Sequence, residues 1–162
     1  MIDAAYILQV GRLFLFVREI KGNFGRWVEA MQRIGGTVKG QPWCACAVMT
    51  VLGIVYRGKP PLPYTAGCDE LLQAGRKLGI VRTDPSPGDV FLLMASPTDA
   101  SHTGFVTDVN ATHFGTLEGN SSDPSRPPTR EGWGFFERPV DSPRARKRGP
   151  QYLFLRVLDV AT

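Results

Sequence analysis

Three kinds of side chain in this 162-residue sequence could act together in nucleophilic chemistry. They are a cysteine that opens a helix, a histidine at the head of a strand, and a polar pair on the strand that follows. Cys44 stands in the segment Gln41-Pro42-Trp43-Cys44-Ala45-Cys46, which leads into residues 47–56, a run apolar on every side that Arg57-Gly58-Lys59-Pro60 stops. Cys44 therefore sits at a helix start, where unpaired N–H groups and the positive end of the helix dipole favour a thiolate. A free thiol titrates near pKa ~8.5 and is barely ionised at neutral pH. The helix terminus lowers that by about 2 kcal/mol at most, roughly 1.5 pKa units. The helix alone is marginal, so Cys44 needs a histidine partner. Cys46, two residues on, points roughly 200° away around the helix and is read as packing.

Two histidines are available. His113, in Asn110-Ala111-Thr112-His113-Phe114-Gly115, reads as a hairpin turn and the strand leaving it, a structural setting. His102, in Ser101-His102-Thr103-Gly104-Phe105-Val106, stands at the mouth of a strand, where its ring can project over the sheet end. That strand pairs with the next, which carries Thr116-Leu117-Glu118-Gly119-Asn120. Strand alternation puts Glu118 and Asn120 on one face. Either can accept a bond from the imidazole, fixing its tautomer and stabilising the imidazolium, which is the third role beside a nucleophile and a base.

The elements that must position these groups divide the chain into a helical half and a strand half. Residues 4–17 read as a core helix with Asp3 as N-cap. Residues 25–34 place Trp27, Val28, Met31 and Ile34 at helical spacing before Gly35-Gly36. After the Cys44 helix, Pro60-Pro61-Leu62-Pro63 is a stiff connector, and residues 69–78 carry acids in the first turn and bases in the last, with Gly79 as a stop. Pro85-Ser86-Pro87-Gly88 is turn chemistry. Strand-like runs follow at 89–94, 104–109, 113–118, 133–137 and 152–158, separated mostly by short polar loops, as in an antiparallel meander. Residues 120–132 form a long polar loop suited to a flap. Helices first and strands afterwards predict a single α+β domain over 1–162, helices packed on an antiparallel sheet.

Composition narrows the partners. Nineteen Lys and Arg against fifteen Asp and Glu give a formal charge of +4, which suits an anionic partner such as nucleic acid, a membrane surface or an acidic cell-wall polymer and selects none of them. Three cysteines without scaffold spacing read as reduced. Residues 4–17 are interrupted by Gln9, Gly11 and Arg12 and are too short for a membrane span, and no signal peptide is read there. The expectation is synthesis in the cytoplasm and action elsewhere after release or delivery.

Cys44, His102 and the Glu118/Asn120 pair occur in the order that a papain-like hydrolase needs. With Lys21-Gly22-Asn23-Phe24-Gly25, Gly40-Gln41-Pro42-Trp43-Cys44-Ala45, Pro87-Gly88-Asp89-Val90, His102-Thr103-Gly104-Phe105-Val106 and Thr116-Leu117-Glu118-Gly119-Asn120, the chain resembles the CHAP group of papain-like cysteine amidases and endopeptidases, over most of residues 20–140. Members of that group cut bacterial peptidoglycan and are common among phage lysins and tail-associated enzymes. The resemblance implies a papain-like CHAP fold and thiol hydrolysis of a cell-wall amide bond, as an N-acetylmuramoyl-L-alanine amidase or a peptidoglycan endopeptidase. It implies Cys44 as nucleophile, His102 as general base and later acid, Glu118 as orienter and Asn120 as fourth polar member. Gln41 and Trp43, just ahead of the nucleophile, are the candidate substrate-binding or oxyanion residues. Peptidoglycan is the implied partner, with a phage particle or secretion apparatus as the means of display. A monomer without cofactor, membrane or nucleic-acid partner is expected.

One departure concerns calcium, since some CHAP lysins carry an aspartate-rich loop ahead of the cysteine. Residues 35–43 offer no carboxylate, so no calcium requirement and no metal site are expected. A zinc protein fits poorly, because Cys44-Ala45-Cys46 lacks the usual two-residue gap and no second pair follows. A nucleic-acid binder rests only on the charge and on Arg144-Ala145-Arg146-Lys147-Arg148, with no aromatic-interleaved motif. A papain-like protease or amidase toxin with a protein or other peptide substrate is the alternative that keeps the fold and changes the substrate.

Overall fold

The computed structural model describes residues 2–122, 132–140 and 151–160. Residues 123–131 of the polar loop and the basic run at 144–148 lie outside the described residues. Asp3 caps the first helix, α1 (Ala4–Arg12), by accepting the Tyr6 N–H at 2.8 Å. The helix is shorter than the apolar run implies. Beyond Arg12 the chain turns, leaving Leu13 and Phe16 exposed while Val17 is buried. In α2 (Arg26–Ile34), Val28 and Met31 face the core, whereas Trp27 and Ile34 of the same expected stripe remain largely exposed.

The axis of the fold is α3 (Cys44–Val55), ten of whose twelve residues are buried. It packs against α1, α2 and two strands of the sheet, so its all-round apolar sequence has a partner on every side. The fourth helix, α4 (Cys68–Lys77), has Asp69 and Glu70 in its first turn and Arg76 and Lys77 in its last, as its dipole favours.

Among the described residues six strands follow: β1 (Val81–Arg82), β2 (Val90–Ser96), β3 (Asp99–Val109), β4 (His113–Ser121), β5 (Gly132–Pro139) and β6 (Tyr152–Leu155). They form one antiparallel sheet in the order β1-β6-β2-β3-β4-β5. The expected meander is present from β2 to β5. The last strand departs from it by returning to lie between β1 and β2, and it ends at Leu155, after which Val157–Asp159 form a 3-10 turn. The two-residue β1 has no sequence signal of its own.

Alternation along the central strands divides the apolar residues between two clusters. Val90, Leu92, Phe105 and Leu117 join the helices in the main core, while Phe91, Val106, Phe114, Tyr152 and Phe154 form a second, largely aromatic cluster. The architecture is α+β. No helix among the described residues is long and apolar enough to cross a membrane.

Candidate active site

Cys44 is the first residue of α3, and Trp43 before it contributes no side-chain cap. The thiol is nearly buried, and its Sγ lies 3.7 Å from that of Cys68, the first residue of α4. Its pKa falls well below the usual value. The Cys68 thiol is the largest cause, by hydrogen-bonding the thiolate; burial opposes it, and His102 then adds both a hydrogen bond and a positive charge. Cys68 moves the opposite way, raised by the same bond and by burial. Cys46 is pushed up to about 11 by burial, and its sulfur packs against Gly35. All three thiols are reduced.

His102 lies inside β3 rather than at its mouth. A bulge at Ser101 intervenes between the pairs Leu93–His102 and Met94–Ala100, a local break of the sort that re-aims a neighbouring side chain. The imidazole Nε2 lies 2.8 Å from Glu118 Oε2. With that nitrogen engaged, Nδ1 is the one left for Cys44. Burial works to lower the pKa of His102, but the Cys44 and Glu118 anions outweigh it and raise it to about 9.

Glu118 is fully buried and saturated with donors. Arg138 on β5 donates from Nε to Oε1 and from Nη2 to Oε2, both at 2.6 Å. Ser121 Oγ donates to Oε2 at 2.9 Å, and Thr116 Oγ1 donates to Oε1. Burial alone would raise this carboxyl; His102 and Arg138 override it and hold its pKa down at about 2. The guanidinium of Arg138 in turn sits 5.0 Å from the centre of the Phe91 ring, so it is fixed on both sides.

Two glycines make room for this cluster. A Cβ on Gly104 would come within 2.9 Å of Glu118 Cγ, 2.8 Å of the Leu117 carbonyl oxygen and 2.8 Å of the Phe91 ring. The bare strand there lets Glu118 reach His102, two residues away on the same face of β3. A Cβ on Gly119 would meet Trp43 and Ala47 at 2.7 Å, so β4 presses directly on the first turn of α3. The two glycines together bring the cysteine helix and the carboxylate strand to one place. Because the backbone oxygen of Leu117 cannot move aside, Gly104→Ala is expected to destabilise the fold by about 1–3 kcal/mol. It will also disturb the His102–Glu118 pair at temperatures where the variant is still folded, as denaturant melts paired with rates of Cys44 alkylation will show.

Of the residues expected at the site, Cys44, His102 and Glu118 come together. Asn120 does not join them. Its backbone is left-handed (φ 56°), and the β4–β5 register shifts between Glu118 and Ser121, so the alternation that would pair Asn120 with Glu118 is broken. Ser121 takes its place, 3.4 Å from His102 Nε2, while Asn120 Oδ1 is buried without a hydrogen-bond partner among the described residues. Trp43 is a correction: its indole is fully buried and donates to Glu19 Oε1 at 2.7 Å, so it anchors the approach to Cys44 and is not a surface for substrate. Gln41 has an exposed side chain, and its carbonyl is held by Gln32 Nε2 at 2.7 Å. His113 bonds Thr112 at the start of β4, away from these groups. Among the described residues, no three His, Cys, Asp or Glu side chains are grouped so as to hold a metal ion.

Sequence reasoning missed Cys68, Arg138, Thr116 and Ser121. Thr116 was findable, since it lies two residues before Glu118 on the same strand face. The others are brought in by the bulge, by β5 and by α4.

The electrostatics predict a pH profile. Cys44 ionises well below its usual range and His102 stays protonated to about 9, so the thiolate–imidazolium pair spans neutral pH. Alkylation of Cys44 by iodoacetamide will therefore remain fast below neutrality, while Cys46 and Cys68, both raised, react slowly there. A Cys44 rate that climbs only above pH ~8.5, as for a free thiol, would contradict the pair. No known protein family, curated protein or solved structure matches the chain.

Proposed function

We propose that the protein is a papain-like thiol hydrolase that cleaves an amide bond in bacterial peptidoglycan, as an amidase or an endopeptidase of the CHAP type. The observation that carries the reading is a cysteine at an uncapped helix start whose imidazole neighbour is oriented by a buried, fully bonded carboxylate. That is the division of labour of a nucleophile, a base and an orienter. The substrate class rests on the motifs from Lys21 to Asn120.

In the reaction, the Cys44 thiolate attacks the amide carbon and the carbonyl π electrons move to oxygen. The first N–H groups of α3 are the natural donors to that oxyanion, each such donor being worth about 3–4 kcal/mol. Collapse breaks the C–N bond as His102 gives its proton to the departing amine, leaving a thioester. His102, now neutral, takes a proton from water, whose oxygen attacks the thioester and releases the acid and the thiolate. Glu118 holds the ring through both proton transfers. The enzyme acts on the cell wall, reaching it after release or delivery.

The test is mass spectrometry of fragments released from purified sacculi, with Cys44→Ala as control. Free stem peptides or shortened cross-links from the wild type alone will establish the class and name the bond. Intact sacculi of several chemotypes after exposure to a protein whose Cys44 alkylates rapidly would overturn the substrate, leaving a hydrolase of other peptides.

A further inference from the structure

We propose that Cys44 and Cys68 form a reversible disulfide, with Cys68 as the resolving thiol that captures an oxidised Cys44. The inference goes beyond hydrolysis, and rests on the reading of Cys44 as a reactive thiolate. It starts from position. The two sulfurs are 3.7 Å apart although their residues are 24 apart in sequence, and each is the first residue of its helix. A disulfide spans about 2.05 Å, so side-chain rotation needs to close less than ~2 Å. Cys46, the third thiol, lies on another face of α3 against Gly35.

The start of α4 is tied to the site independently of the sulfurs. Asp69 Oδ1 accepts the Ala100 N–H at 2.6 Å, fixing the residue after Cys68 to the stretch of β3 just ahead of His102. Glu70 accepts the Thr65 hydroxyl at 2.5 Å, bracing the turn that leads into the helix. Both thiols are buried within this frame, and their ionisation is unequal, Cys44 being lowered and Cys68 raised. The asymmetry makes Cys44 the sulfur that meets the oxidant first, and because the Cys44 anion is among the causes that raise Cys68, that hold is released once Cys44 carries oxygen.

The oxidant is a hydroperoxide. Cys44 Sγ attacks its terminal oxygen, the O–O bond breaks, and the remaining alkoxide takes up a proton and leaves as an alcohol. Cys44 is then a sulfenic acid, oxidised by two electrons that reduced the peroxide bond. Cys68 Sγ next attacks Cys44 Sγ; the S–S bond forms, the S–O bond breaks, and the hydroxide leaves as water with the Cys68 proton. In sum, two thiols and a hydroperoxide give a disulfide, an alcohol and water. The linked Cys44 can no longer act as a nucleophile, and a dithiol returns it. Oxidation therefore stops hydrolysis without destroying the cysteine, because the disulfide forms ahead of irreversible sulfinic acid.

The experiment uses the full, reduced chain and hydrogen peroxide as probe, with N-ethylmaleimide quenching, intact-mass measurement and peptide mapping. The wild type is expected to lose two hydrogens, to yield a Cys44–Cys68 cross-linked peptide, and to regain iodoacetamide labelling at Cys44 with dithiothreitol. Cys46→Ala will behave identically. Cys68→Ala, checked by near-UV circular dichroism, will instead add one oxygen at Cys44 that dimedone traps, and with further peroxide will go on to sulfinic acid, after which dithiothreitol no longer restores labelling. Oxygen accumulating on wild-type Cys44 without a cross-link, while untreated Cys44 alkylates rapidly, overturns the disulfide and leaves the hydrolase reading intact. Cross-linking through Cys46 overturns it as well. A Cys44 inert to both peroxide and iodoacetamide overturns both readings together. The wild-type map needs no variant to decide the outcome.

Discussion

On the proposed function, Cys44→Ala is expected to reduce peptidoglycan hydrolysis to background, a loss on the order of 10⁴-fold or more, and His102→Ala to match it within the noise of that background. The two groups act as one unit. Without the imidazole the thiol loses a hydrogen bond and a positive charge that lower its pKa, and the departing amine loses its proton donor. Without the thiolate, His102 has nothing to activate except water. The double variant will therefore be no slower than either single one, which is the signature of a shared mechanism rather than of two separate contributions. Both proteins remain folded, since each change removes one side chain and strands no buried charge: Glu118 keeps Arg138, Ser121 and Thr116. Turnover by Cys44→Ala comparable to the wild type would sink the catalytic assignment.

Glu118→Ala carries the second large effect, and it falls on stability as well as rate. Arg138, mostly buried, loses both of its 2.6 Å bonds at once, and His102, Ser121 and Thr116 lose their acceptor. Removing one member of a buried ion pair costs about 3–5 kcal/mol, because the surviving charge is left without compensation. For a domain of this size that is a large share of total stability. Turnover will fall by about 10²–10⁴-fold, since the imidazole loses the partner that fixes its tautomer. A linked pH effect follows. The folded carboxyl titrates at about 2, below its ordinary 4.5, so its stabilisation is present above 4.5 and is lost as pH falls towards 2. The wild-type melting temperature will drop through that interval, and the drop will be smaller in Glu118→Ala. Thermal melts at several acid pH values measure the difference, and equal slopes would assign the low pKa elsewhere.

The helices were legible because their signals are local. Asp3 caps where a capping residue stands, and the apolar residues 47–56 can belong only to a buried segment. The end of α1 was not legible, because Leu13 and Phe16 are apolar yet turn outward, a choice made by packing against the rest of the chain. His102 and Glu118 were found as chemistry, but the strand holding His102 begins at Asp99, since the polar residues ahead of Gly104 conceal its pattern. Asn120 was placed by alternation, and a bulge defeats alternation. Arg138 lies one residue past the expected end of its strand, and Cys68 one residue before the expected start of its helix. Their approach to Glu118 and Cys44 is set by strand order and by the Asp69 tether, neither of which leaves a mark within a short window of sequence.

Arg138 has one more consequence, for the field of the site. The ionised groups alternate in sign, from the Cys44 thiolate through the His102 imidazolium and the Glu118 carboxylate to the Arg138 guanidinium. Such a row has no net charge, and its potential dies away faster with distance than that of a lone ion pair with an unbalanced carboxylate behind it. The reacting centre is thus nearly silent at long range. Dissolved salt will change the capture of a charged polymer through outlying basic residues, while leaving the chemical step after capture almost untouched.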